Sequence, residues 1–136
     1  MHVDQSYWGV QGWEVTSTGD QEGCFSASPN TTTLAEIHHI IFANDVANGC
    51  QAGGFISYST WTTPAVSVDY LSIIGNVVYN GAQGSENCYS GISVYIPIQS
   101  DTLPGTHIYV AGNFSYGNIE PSTCAIAAAR SHWNHI

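Results

Sequence analysis

The sequence predicts an all-β fold of the solenoid type, a parallel β-helix of about four coils carrying an asparagine ladder. Three observations lead there. The apolar runs are short and strand-like; a block recurs as "HHIIFAN" (38–44), "YLSIIGN" (70–76) and "HIYVAGN" (107–113); and each copy ends on an asparagine followed by another short run and a turn. Asn44, Asn76 and Asn113 are spaced by 32 and then 37 residues. That irregularity rules out a helical repeat of fixed period and suits a constant coil core with loops of varying length.

The elements follow in order. "YWGVQGW" (7–13) opens the first coil, with Trp13 in the column of the asparagines. The second block holds three strand-like segments, 37–43, 46–48 and, past a tight turn at Gly49, 54–59; the third holds 69–75, 77–79 and 91–96. Three short strands per repeat with a bend between them describe one coil of a β-helix. At such a bend the backbone takes an unusual angle that Asn tolerates better than most residues. Asparagines stacked at the ~4.8 Å strand spacing also hydrogen-bond along the axis. The chain is expected to be a single domain, 1–136, with repeats at about 7–36, 37–69, 70–106 and 107–124 and a tail or cap at 125–136.

The same alignment assigns faces. His39, Leu71 and Ile108, and then Ile41, Ile73 and Val110, are expected to point inward. Tyr7, His38, Tyr70 and His107 are expected outward as an aromatic surface stack, with Ile40, Ser72 and Tyr109 beside them. Setting Gly23, Gly54 and Gly91 in one column places Phe25, Ile56 and Ser93 outward on another sheet, followed by Ala27, Tyr58 and Tyr95. Trp61 follows at the mouth of the loop 60–68.

Composition excludes several functions. One Lys or Arg against ten Asp or Glu, a net charge of −9, leaves nothing to neutralise phosphates, so neither nucleic acid nor an acidic membrane surface is an expected partner. No apolar run approaches a membrane span, and no charged n-region opens the chain, so a secreted protein of this sequence has had its signal removed. The four cysteines, Cys24, Cys50, Cys88 and Cys124, lack C-x-x-C spacing and read as disulfides of an oxidising compartment. Of the three connectivities, Cys24 with Cys50 and Cys88 with Cys124 is expected because each joins neighbouring coils, with Cys50 to Cys88 as the competitor. No metal or other cofactor is expected.

The aligned blocks, over roughly residues 7–124, resemble the right-handed parallel β-helix proteins of the pectate-lyase-like superfamily. The resemblance implies a right-handed coil and a carbohydrate-active protein, because many members act on polysaccharides along one sheet. Phe25, Tyr58, Trp61 and Tyr95 are then the expected substrate-binding residues, since flat apolar rings stack on the faces of sugars. The loops 29–36, 60–69 and 97–106 leave one sheet edge and bring Glu36, Asp69 and Asp101 together as candidate catalytic acids. With Glu36 and Asp69 on adjacent coils, their carboxyl groups are expected ~5–6 Å apart, the separation of a retaining glycosidase pair.

The chain departs from the family in having no Lys and a single Arg, Arg130, in a tail that breaks the repeat; this argues against a lyase that abstracts a proton with a basic side chain. A secreted glycoside hydrolase acting on a neutral polysaccharide is therefore expected. The alternatives are a non-catalytic carbohydrate-binding or adhesion module, or a fragment of a longer β-helix enzyme. Four coils make a prism only ~20 Å long, and its uncapped ends point to a continuation of the chain or to a homo-oligomer.

Overall fold

The structure, a computed structural model, describes residues 1–16, 23–29, 36–50, 53–58, 67–81, 91–95 and 101–118. Among these the chain is all-β with no helix. It runs through β1 (His2–Val3), β2 (Trp8–Gln11) and β3 (Glu14–Thr16), then β4 (Phe25–Ala27), β5 (Glu36–Ala43) and β6 (Val46–Asn48). The succession continues with β7 (Phe55–Tyr58), β8 (Ser67–Ile74) and β9 (Val77–Tyr79), and with β10 (Ile92–Tyr95), β11 (Ile108–Ala111) and β12 (Phe114–Tyr116). Every third strand falls in the same sheet: β1-β4-β7-β10 form sheet A, β2-β5-β8-β11 sheet B and β3-β6-β9-β12 sheet C.

All the strand pairs are parallel. Parallel neighbours need a crossover connection, and here the crossover is made of the strands of the other two sheets. The result is three stacked parallel sheets, an arrangement compatible with a β-helix.

The core lies between the sheets and is built in layers of like residues. Ile40 pairs with Leu71, Phe42 with Ile73, Ala47 with Val78 and Phe25 with Phe55 across neighbouring strands, and all eight are buried. The rings of Phe25 and Phe55 stack 4.6 Å apart, and Phe42 meets both at an angle with centroids 5.9 Å away. Burying side chains of this size contributes about 1.5–3 kcal/mol each.

The bends explain why the sequence alternates short runs with Asn and Gly. Between sheets B and C the residue in the left-handed region is Gly12, Asn44, Gly75 or Gly112 in successive coils, and after sheet C it is Gly49, Asn80 or Gly117. Only Gly and Asn take such angles cheaply. A third set, Tyr7, His39 and Tyr70, holds positive φ inside or just before sheet B. There, two successive residues lie between the inward Ile37 and Ile40, as they do between Val68 and Leu71.

The register corrects the expected columns by one residue in the second coil. Ala43 pairs with Ile74 and Ala111 with Ile74, so Asp45, not Asn44, stands beside Asn76 and Asn113. Asn44 does the job that Gly75 and Gly112 do in their coils, taking the positive φ itself. Because side chains alternate, a slip of one residue exchanges the faces. His39 is therefore exposed rather than inward, Ile40 is buried and Ile41 is outward. His39, rather than His38, joins Tyr7, Tyr70 and His107 in the aromatic stack, with centroids 5.0, 4.6 and 4.5 Å apart in turn.

A second slip concerns Phe25. Cys24 lies beside Gly54 in register, because Phe25 pairs with Phe55, so Gly23 does not share the column of Gly54 and Gly91. Phe25 turns into the core at 0% exposure and is not available to a sugar. Cys24 and Cys50 form a disulfide with Cα atoms 5.7 Å apart, as expected from neighbouring coils. Cys88 and Cys124 lie outside the described residues.

Candidate functional site

Two features on the outer surface of the sheets concentrate chemistry. The first is built where β8 begins. Asp69 is 1% exposed, accepts the backbone N–H of Tyr70 at 2.8 Å, and faces His107 Nδ1 at 2.9 Å through both carboxylate oxygens. The other ring nitrogen of His107, Nε2, lies 3.1 Å from the Leu103 carbonyl oxygen. Both nitrogens thus meet acceptors, so the imidazole is suited to carrying both protons. The hydrogen bond to Asp69, then the Leu103 carbonyl, raise its pKa above the ordinary histidine value, while burial opposes them.

Tyr70 links this pair to the second acid of the cluster. Its hydroxyl donates to Asp101 at 2.9 and 3.1 Å from the two carboxylate oxygens, and Asp101 also accepts the Leu103 N–H at 2.8 Å. The Tyr70 ring stacks on the His107 ring, a favourable placement for a cation over an aromatic face. Together these contacts fasten the segment 101–107 onto sheet B. Tyr70 thus meets both acids, Asp69 through its backbone N–H and Asp101 through its hydroxyl.

Glu36 is placed differently. It pairs with Ser67, so it stands two places before the position of Asp69 on the neighbouring strand, not one place before it as the alignment of the repeats predicts. The same one-residue slip that moved Asn44 accounts for the change. Asp69 is committed to His107 and Tyr70 and shielded from solvent.

The second feature is an aromatic face on sheet C. Tyr79 pairs with Tyr116, and their rings lie 5.3 Å apart with planes only 4° from parallel. Phe114, two residues earlier on β12 and 64% exposed, lies 5.2 Å from Tyr116, which is 47% exposed. Tyr79 is outward because the preceding Val78 points into the core, and Tyr116 follows it in register. Sequence reasoning missed them, although "NVVYNG" (76–81) and "NFSYGN" (113–118) place a tyrosine three residues after each asparagine. That shared offset is the signal that marks the face.

Of the expected sugar-binding residues, Tyr58 and Tyr95 pair across β7 and β10 in sheet A. Trp61 lies outside the described residues. No group of three or more His, Cys, Asp or Glu able to hold a metal ion occurs among the described residues. No helix among them is long and apolar enough to cross a membrane, and the Cys24–Cys50 disulfide fits an extracellular protein. Comparison with protein-family models, curated proteins and solved structures finds no match to this chain.

Proposed function

We propose that the chain is a secreted, right-handed parallel β-helix of about four coils with a column of amide side chains on its axis, and that it binds a neutral polysaccharide through the aromatic face of sheet C. The observation that carries this reading is the stacked Tyr79–Tyr116 pair with Phe114 beside it, Tyr116 and Phe114 being exposed, on a chain of net charge −9. Rings stacked in this way turn faces toward each other, and their edges, their hydroxyl groups and the outer face of the end ring, with Phe114 beside it, offer apolar and hydrogen-bonding surface to a sugar. The acidic charge disfavours polyanionic glycans.

A second reading, cleavage of the same class of polysaccharide by a glycoside hydrolase, draws on the gathering of Asp69 and Asp101 about Tyr70. Its weakness is that the expected partner acid, Glu36, is not beside Asp69 in register. Incubation with neutral plant and microbial polysaccharides separates the two. Retardation in affinity gels without release of reducing ends supports the binding module; release of reducing ends that is lost in Asp101→Asn supports the hydrolase; neither result rejects both.

A further inference from the structure

Asp45 is the one buried carboxyl in the column otherwise occupied by Asn76 and Asn113. Each of those asparagines makes the same two contacts with the preceding coil. The Oδ1 atom accepts the backbone N–H of its column neighbour, Asp45 N–H for Asn76 and Asn76 N–H for Asn113, at 2.8 and 2.9 Å. The Nδ2 atom donates to the carbonyl three residues before that neighbour, Phe42 for Asn76 and Ile73 for Asn113, at 3.0 and 2.8 Å.

Asp45 reproduces the first contact, its Oδ1 accepting the Trp13 N–H at 2.9 Å. The second position is held by Oδ2, which is buried at 0% exposure and has no hydrogen-bond partner. By the rule its neighbours follow, the group three residues before Trp13 is the carbonyl of Val10, which pairs in register with Phe42. A carbonyl oxygen cannot donate, so an ionised Oδ2 there is left without a hydrogen bond. A protonated Oδ2 becomes a donor and completes the pattern.

We infer that Asp45 is carried as the neutral acid in the folded protein, its Oδ2–H standing in for an asparagine amide toward the Val10 carbonyl, so that ionising this carboxyl loosens the attachment of β2 and β3 to the rest of the stack. The surroundings are consistent with this. Burial pushes the Asp45 carboxyl up from the ordinary aspartate value, with the backbone N–H groups of Trp13, Ala43 and Gly12 acting less strongly the other way. The titratable groups on the strands packed about it are Glu14 on β3, Glu36, His38 and His39 on β5, Asp69 and Tyr70 on β8, Tyr79 on β9 and Tyr116 on β12. None of them is a hydrogen-bond partner of its carboxyl. Asp45 is therefore a proton-binding site within the fold: the protein is tightest in acid and loosens at its first coil as the pH rises.

Two measurements test it. The carboxyl carbon resonance of Asp45, followed by NMR on the whole chain, is expected to keep its protonated position at pH 6, where an ordinary aspartate is fully ionised. Asp45→Asn, which supplies the missing donor without a charge, is expected to melt several degrees above the wild type at pH 8 and level with it at pH 4. An Asp45 carboxyl already ionised at pH 6, or an Asp45→Asn variant that is less stable than wild type at pH 8, or whose difference from wild type is the same at both pH values, overturns the inference. Should the variant fail to fold, the resonance alone decides.

Discussion

Replacing Asn76 with Leu tests the column where it is best defined. Asn76 is fully buried, accepts the Asp45 N–H, and donates to the Phe42 carbonyl and to Asn113 Oδ1. Leucine has the same branched shape and number of side-chain heavy atoms, though its methyl groups are bulkier, and makes none of these bonds. Three net hydrogen bonds at about 1 kcal/mol each, plus the cost of leaving the Asp45 N–H unpaired in the interior, come to about 3–5 kcal/mol. For a chain of this size that lowers the melting temperature by roughly 10–20 °C.

The control is Asn44→Gly. Asn44 is exposed and holds φ 54°, an angle glycine takes freely, so the change is expected to stay within about 0.5 kcal/mol. Thermal unfolding followed by circular dichroism reads both. Equal losses in the two variants would refute the register that separates Asp45 from Asn44, and with it the assignment of faces on β5.

Two further outcomes are expected. Replacing both Cys24 and Cys50 with Ser opens a loop spanning 26 residues and is expected to cost about 3–4 kcal/mol on the chain-entropy account, read as a lower denaturant midpoint with a larger m-value because the unfolded chain is freed. His107 has its pKa raised in the fold, so the stability it contributes is fully present below the ordinary histidine value near 6.5 and is lost as pH rises through the folded value. Relative to His107→Gln, the wild type is thus expected to gain most at pH 5 and least at pH 9 in thermal melts; a difference that grows with pH contradicts the charged form of His107.

Much of this architecture was legible because the coil repeats its chemistry. The pattern of short apolar run, bend, short run and turn identified three strands per repeat, and the outward stack of Tyr7, Tyr70 and His107 followed from it. What failed was register in the second coil. Asn44 and Asn76 are the same residue with different tasks, one taking a positive φ and the other hydrogen-bonding to Asp45, Phe42 and Asn113, and a sequence alignment matches identity rather than task. Asp45 was overlooked because an acid is not expected at 0% exposure beside two amides.

The same blindness hid Phe25, whose neighbouring glycine was matched to the wrong glycine of the next coil. Asp101 meets Tyr70 and Asp69 meets His107 through contacts that depend on how the segment 101–107 folds back rather than on strand spacing, so they are not legible from the repeats. The sheet C face is legible in principle from the shared tyrosine offset of "NVVYNG" and "NFSYGN".

The most direct measurement compares polysaccharide affinity in the wild type, in Tyr79→Ala/Tyr116→Ala and in Tyr58→Ala/Tyr95→Ala, using affinity gels cast with a soluble neutral glucan and circular dichroism to confirm that all three are folded. Packing of a sugar on aromatic rings is lost with the rings, so the sheet C double variant is expected to migrate as it does without polysaccharide, while the sheet A variant is retarded like the wild type. Retardation unchanged in the sheet C variant and lost in the sheet A variant would contradict the account.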